Sequence, residues 1–444
     1  MVFVGAPMIE AMRTQRLLWS LRASSGRSPG HLQELQEGLL RKAVANAHAN
    51  VPFYRRVWDE RGFAPADLRC VEDLTRMPII GGLEVRKAVQ RGELAAKDVD
   101  PSRCVVFSSS GWSRAPIHVR RGSVERSLWR AAGLRMQFEH GFRWRHATVQ
   151  FDSPPAPPHV LQRLGISRTT WIPRTMPIEQ QLATFVEARA HVVVGTPTVV
   201  RRLCRALETT GRRWTRPQRV FCQGEMLDAE TRGAVERVLG VNPLNLYGLT
   251  EVGYVAWQCE EREGLHVNAE LFLVEVLRDG WPAAPGELGT IVVTDLRGRT
   301  MPLLRYDTGD LAVAAGGPCP CARSLPLLGS IEGRAQASAL LADGRIVTPR
   351  ALVDHLAGTL RLEEYRLHQE TRSRFRLELA PSALVDRGVA SNAGHPPCDK
   401  DAVLRRLREL LGDVEVSIVV AASWPDHAAD KTHAISSAVP IQFR

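Results

Sequence analysis

Between residues 123 and 220, stretches with helical periodicity alternate with short apolar runs, and this alternation constrains the fold more than anything else in the 444 residues. The runs 147–151, 170–172, 191–194 and 220–222 are short and rich in β-branched and aromatic residues, as buried strands require. Strand, helix and strand in repetition build a mostly parallel sheet with helices packed on its faces. Pro154-Pro155-Ala156-Pro157-Pro158 interrupts the pattern and must be loop, because proline lacks the amide that helix and central strand need. Gln223-Gly224-Glu225-Met226 reads as a strand end with a glycine turn, followed by a helix over 228–239 with Asp228 as its N-cap.

A chain this long, with 44% apolar residues, is too large for one simple core, so two or more domains are expected. Residues 30–60 read as helical, with Leu35, Leu39, Leu40 and Ala43 on one face and Pro52 ending the run. No run of about 18 apolar residues spans a bilayer and the N-terminus lacks a signal-peptide core, which predicts a cytoplasmic protein with no membrane contact. Eight irregularly spaced cysteines do not form a disulfide framework, and reduced thiols or a metal fit better. The formal charge of +10 raises nucleic-acid binding as a rival. The charge is spread thinly as pairs, Arg120-Arg121, Arg201-Arg202 and Arg212-Arg213, with five lysines in all; this reads as compositional drift over a basic surface, without a nucleic-acid partner.

Two segments carry candidate chemistry. Asn245-Leu246-Tyr247-Gly248-Leu249-Thr250-Glu251 places an aromatic ring, a flexible glycine, a hydroxyl and a carboxylate together, as gripping adenine, phosphate and Mg²⁺ requires. Met301-Pro302-Leu303-Leu304-Arg305-Tyr306-Asp307-Thr308-Gly309-Asp310 ends in a Gly-Asp turn whose carboxylate can accept both hydroxyls of a ribose. Between them, Gly286 supplies a turn into a strand over 290–294. Upstream, Val105-Val106-Phe107 reads as a short buried strand opening into 108–116, where Ser109, Ser110, Gly111 and Ser113 offer hydroxyls and amides to phosphate. Cys259, His266, Cys319 and Cys321 supply three sulfurs and one imidazole, the count of a closed tetrahedral zinc site, although Cys-x-Cys is tighter than the usual spacing.

In their order and spacing these landmarks resemble the phenylacetate–CoA ligase branch of the adenylate-forming superfamily of acyl-CoA ligases, adenylation domains and luciferases. The likeness takes in 35–55, with Val51-Pro52-Phe53-Tyr54-Arg55, and Val71-Glu72-Asp73-Leu74. It continues through the loop after Ser108, Gln223-Gly224-Glu225, the two segments above, Gly333-Arg334 and a lysine near the end. The resemblance implies an α/β fold: a large N-terminal adenylate-forming domain of mixed sheets and flanking helices, residues 1–334, and a small mobile α+β C-terminal domain, residues 335–444. It implies that Ser109, Ser110, Gly111 and Ser113 hold the β- and γ-phosphates of ATP, and that Gly224, Glu225 and Met226 line the acyl and adenine region. Asn245, Tyr247 and Gly248 belong to the nucleotide site, with Tyr247 against adenine; Thr250 binds the α-phosphate and Glu251 coordinates Mg²⁺. Asp310 holds the ribose, Arg334 reaches the same nucleotide, and Lys431 swings over the carboxylate and α-phosphate. Some members of this branch carry a similar structural zinc set.

The chain departs from the family at Trp112, Arg114 and Ala115 in the phosphate loop, at Gln336 and Ala337 in the hinge, and at Asp430 before the lysine. The implied function is ATP-dependent, AMP-forming activation of a small carboxylic acid, followed by transfer to a thiol of CoA or of an acyl carrier protein's phosphopantetheine. An amine acceptor, a non-catalytic binding protein of the same fold and a zinc-containing nucleic-acid binder are the alternatives. Trp112, Trp144, Phe151 and Cys222 are candidates for an apolar acyl pocket, which suggests an aromatic or alicyclic acid. The oligomeric state stays open, a homodimer being one option.

Overall fold

A computed structural model describes residues 5–108, 116–152, 165–211, 213–384, 399–424 and 435–441. Its centre is an eight-stranded sheet. From one edge the strands are Leu327–Leu328, Leu265–Val267, Gly253–Gln258, Leu244–Leu249, Arg219–Gln223, Val192–Gly195, Thr148–Asp152 and Thr169–Pro173. The last five run parallel to one another, and the first three join by antiparallel pairing. Every residue of Val192–Gly195 is buried, which is why that strand reads as a continuous apolar run rather than an alternating one. Helices Ile178–Ala188, Pro197–Thr209 and Ala229–Leu239 follow strands as the alternation predicts. Thr196 caps the second of these through Val199 N, and Asp228 caps the third through Thr231 N.

A second, five-stranded antiparallel sheet orders Trp281–Pro282, Phe272–Arg278, Leu288–Asp295, Tyr306–Val313 and Ile331–Arg334. Gly286 takes φ +82° in the turn that enters the third of these strands. Residues from Ala337 to Ile435 form an apolar cluster of their own around a four-stranded sheet, Glu415–Val420, Arg374–Leu379, Tyr365–Gln369 and Ile435–Ser437, with helices Pro349–Leu356 and Lys400–Leu411. Helix Pro349–Leu356 rests on strand Ile331–Arg334. Thr348 Oγ1 donates to Glu332 Oε2 at 3.1 Å and Arg350 Nε donates to the Ile331 carbonyl at 2.8 Å. Among the described residues no helix is long and apolar enough to cross a membrane.

Four expectations are corrected. Residues 30–60 are two helices, Pro29–Asn50 and Pro52–Glu60, because Pro52 stops the first and then occupies the first position of the second, where its missing amide costs nothing. Val105–Ser108 is a strand but not a buried one: among the described residues it pairs only with His118–Arg121, and Val105 is 44% and Val106 54% exposed. The arginine pairs are not simply surface charge, since Arg121 and Arg201, with Arg135, are fully buried among carboxylates. Phe151 and Cys222 belong to one core cluster while Trp144 packs on the Phe138 ring in another, so they do not line one acyl pocket; Trp112 lies outside the described residues.

Candidate active site

Strand Leu244–Leu249 turns back through Thr250-Glu251-Val252 into Gly253–Gln258, and two glycines make that turn possible. A Cβ on Gly248 would sit 2.7 Å from the Gly253 carbonyl oxygen, at the bulge between Tyr247 and Gly248. Gly253 has φ +91°, and a Cβ there would meet the Trp129 indole at 2.8 Å. The tight return leaves Thr250 exposed at the tip and Glu251 buried, 9% exposed.

The second segment arrives beside the first. Asp310 lies opposite Arg334 in the register of adjacent strands, and Arg334 Nε is 3.2 Å from Asp310 Oδ1. Tyr247 donates its hydroxyl to Asp310 Oδ2 at 2.9 Å and lies 3.4 Å from Thr308 Oγ1. Asp307 to Asp310 lie within strand Tyr306–Val313, at a shift in its register against Leu288–Asp295, and not in the Gly-Asp turn expected from the sequence; Gly309 N donates to Asp307 Oδ1 at 2.9 Å and Asp310 N to Thr308 Oγ1 at 3.1 Å, with Gly309 at φ +72°. One carboxylate, one phenol and one guanidinium, from strands far apart in the chain, thus form a single polar group.

Burial, aided by the Asp310 charge, raises the Tyr247 phenol well above its usual range, so it stays a donor. Asp310, despite the cost of burial, raises the Arg334 guanidinium further. Burial also raises the Glu251 carboxyl, with the charges of Arg334 and Arg86 opposing and that of Asp310 adding to it. A buried carboxylate that gains from a positive partner is the oxygen donor a hard divalent cation takes, so the residues present fit Mg²⁺.

Other expected site residues have local duties of their own. Glu225 Oε2 accepts from Thr198 N at 3.1 Å and so satisfies the N-terminus of helix Pro197–Thr209. Gly224 holds φ +77°, and Met226 packs against the cluster of residues 337–435, facing the C-terminal part of the chain. Asn245 is buried within its strand, its backbone N–H donating to Gln258 Oε1 at 3.2 Å. Ser109, Ser110, Gly111, Ser113 and Lys431 lie outside the described residues.

The cysteine and histidine set converges. Cys259 Sγ and Cys319 Sγ are 3.5 Å apart, Cys321 Sγ and His266 Nε2 are 3.2 Å apart, and the four candidate ligand atoms all lie within 4.8 Å of one another. A zinc tetrahedron of thiolates and imidazole has edges of about 3.5–3.8 Å. Burial, with Arg323 adding to it, pushes His266 down to about 4, keeping the ring neutral as ligation needs. Burial disfavours the Cys321 thiolate too, but the Arg323 hydrogen bonds and charge outweigh it and lower that thiol. Burial pushes the Cys319 thiol the other way, up to about 12, so the fit to zinc rests on the number and convergence of the four donors.

No family model matches the chain. Against curated proteins, it is 30% identical to the phenylacetate–coenzyme A ligase of Thermus thermophilus over 396 residues, which is 81% of this chain and 86% of that one. The chain belongs to the phenylacetate–CoA ligase family. The Escherichia coli phenylacetate–coenzyme A ligase is 28% identical over 387 residues, 81% of this chain and 85% of that one. The fold matches that of 2-hydroxyisobutyryl-CoA ligase in the postadenylation state with 2-HIB-AMP, at a TM-score of 0.73, 19% identity and coverage of 93% of this chain and 91% of that one. It also matches o-succinylbenzoate coenzyme A synthetase of Bacillus subtilis with AMP, at a TM-score of 0.52, 14% identity and coverage of 74% and 67%.

Sequence reasoning on this ligase-family chain missed Arg121 and Glu125. Arg121 donates through Nη1 to the Met301 carbonyl at 3.0 Å and through Nη2 to the Glu251 carbonyl, so both motif segments hang from one guanidinium. Glu125 accepts from the amides of Gly122, Arg299 and Thr300 at 2.7, 2.9 and 3.0 Å. The available signal was the Gly122-to-Glu125 capping pattern directly after Arg121, which fixes where the helix Ser123–Glu139 starts and hence where the arginine points.

Proposed function

We propose that the protein is an AMP-forming acid–CoA ligase that activates an aromatic carboxylic acid. The observation that carries this reading is the Tyr247, Asp310 and Arg334 group with Glu251 beside it, formed from the two motif segments and buried in one place. Family membership supports ATP and CoA as co-substrates. In the first half-reaction a carboxylate oxygen forms a bond to the α-phosphorus of ATP and pyrophosphate leaves, giving acyl-AMP. In the second, a thiol sulfur attacks the acyl carbon, loses its proton and expels AMP, leaving a thioester.

Asp310 holds the ribose hydroxyls, and Tyr247 and Arg334 keep it oriented. Thr250, exposed at the tip of its turn, donates to the α-phosphate. Ser109, Ser110, Gly111 and Ser113 bind the outer phosphates, and Gly224, Glu225, Met226, Asn245 and Gly248 shape the walls. Glu251 would hold Mg²⁺, which supplies charge neutralisation as pyrophosphate departs. Lys431, carried by a small domain over 335–444, stabilises charge building on the carboxylate and α-phosphate. Cys259, His266, Cys319 and Cys321 would hold a structural zinc with no open position, bracing the fold. We place the enzyme in the cytoplasm.

The test is pyrophosphate release with a panel of aromatic and aliphatic acids, each with CoA, with a phosphopantetheinylated carrier protein or with a simple amine. The expected result is acid-dependent release that is fastest with an aryl acid and consumes CoA. Release with consumption of the carrier or amine alone would keep the adenylation and overturn the acceptor. No ATP cleavage with any acid would end the reading.

A further inference from the structure

Arg121 is fully buried and stands apart from the Tyr247, Asp310 and Arg334 group. Its surroundings explain why it is there. The guanidinium lies 5.3 Å over the Trp129 ring, 3.3 Å from Glu125 Oε1 and 3.8 Å from Asp295 Oδ2. Two of its donors reach two backbone carbonyls, Glu251 and Met301, which are the last residue of one nucleotide-site segment and the first of the other. Trp129 extends the same bracket. Its ring packs 5.1 Å from Phe107, on the strand that precedes residues 109–115, and its indole closes on Gly253, the residue that ends the Glu251 turn. Arg121 itself ends the strand on the other side of residues 109–115. A planar fork that holds two carbonyls at once is something lysine cannot reproduce with a single ammonium.

We infer that Arg121, stacked on Trp129, is a positioning residue that holds the Glu251 turn and the 301–310 segment in fixed register, so that the metal-binding and ribose-binding carboxylates keep a set separation. The inference rests on the roles given above to Glu251 and Asp310, and it adds the element that makes two distant motifs one site. Misplacing catalytic groups by about 1 Å can cost on the order of a hundredfold in rate without any loss of fold.

Arg121→Lys keeps the positive charge that Glu125 and Asp295 need but gives up the second carbonyl. Trp129→Phe keeps an aromatic face under the guanidinium and is the companion variant. Two readouts are needed. The first is the Mg²⁺ dependence of acid-dependent pyrophosphate release: the half-saturating Mg²⁺ concentration should rise and kcat fall, each by about tenfold or more, with KM for the acid little changed. The second needs no turnover: amide hydrogen exchange in the free protein should quicken at 250–253 and 299–304 but not at 365–379. A lower melting temperature with unchanged Mg²⁺ dependence and unchanged exchange at these segments would mean Arg121 merely stabilises the core, and would overturn the inference. So would quickened exchange spread evenly over the chain. If the wild type releases no pyrophosphate with any acid, the proposed function falls, and the exchange measurement still decides the positioning claim.

Discussion

Asp310 is where the two halves of the candidate site meet at the scale of single residues: one oxygen takes the Tyr247 hydroxyl and the other faces Arg334. Replacing it with Asn removes the charge that both partners are arranged around. Hydrogen bonds to charged groups are worth about 1.5–3 kcal/mol, so Asp310→Asn should raise KM for ATP by about ten- to a hundredfold in steady-state assays. Tyr247→Phe removes one neutral donor and leaves the Arg334 pair, so its effect on the same constant should stay below about tenfold. A pH effect belongs to this scale too. Burial lowers the His140 ring from its ordinary 6.5, with the Met136 carbonyl opposing, and burial lowers His146 likewise. The unfolded chain then takes up these protons first, so stability present above about pH 6.5 is lost as the pH falls towards the folded-state values. The melting temperature should drop between about pH 7.5 and pH 5.5, and His140→Gln should flatten that slope; a slope unchanged by the substitution would remove His140 from the explanation.

The elements around the site are held by geometry that the sequence shows unevenly. Strand Val192–Gly195 was legible because a strand covered on both faces is apolar throughout, Thr148–Asp152 and Arg219–Gln223 were legible from their short β-branched and aromatic runs, and so were the Asp228 cap and the Gly286 turn. The hairpin turn of Thr250 and Glu251 was legible only as a motif; that Gly248 and Gly253 are required by the approach of two strands and an indole is a tertiary fact. Val105–Ser108 read as buried because its composition is that of a core strand, but among the described residues it has one partner strand and it is largely exposed. Arg121 was illegible because charge alone does not say whether an arginine faces water or two carbonyls. Gly253→Ala should destabilise the fold by about 1–3 kcal/mol in denaturant unfolding, since the added methyl meets Trp129 and the backbone is left-handed. The cysteine set ties the exit of strand Gly253–Gln258 and strand Leu265–Val267 to the chain after Tyr306–Val313. Elemental analysis should find about one zinc per chain, and its removal by chelation should lower the melting temperature by about 5 °C or more. Protein purified without zinc and indifferent to chelators would reduce the set to buried thiols.

Across the whole molecule, the chain builds one body around the central and five-stranded sheets and a separate apolar cluster over residues 337–435, joined where helix Pro349–Leu356 rests on Ile331–Arg334. Gly333 makes that rest possible, for a Cβ there would sit 2.6 Å from the Pro349 ring. Arg334 is the last residue of this contact strand and also the partner of Asp310, so the Tyr247, Asp310 and Arg334 group sits where the two clusters meet. Such an arrangement suits two half-reactions with different needs. Lys431→Ala should slow adenylation by about a hundred- to a thousandfold, while thioester formation from supplied acyl-AMP should fall far less. Equal loss in both steps would place the lysine elsewhere in the mechanism. The most direct test of the central claim is mass spectrometry of the protein incubated with ATP, Mg²⁺ and an aryl acid before and after CoA is added. The acyl-AMP should accumulate first and then convert to acyl-CoA with release of AMP; ATP that stays intact with every acid, or that yields ADP instead, would contradict it.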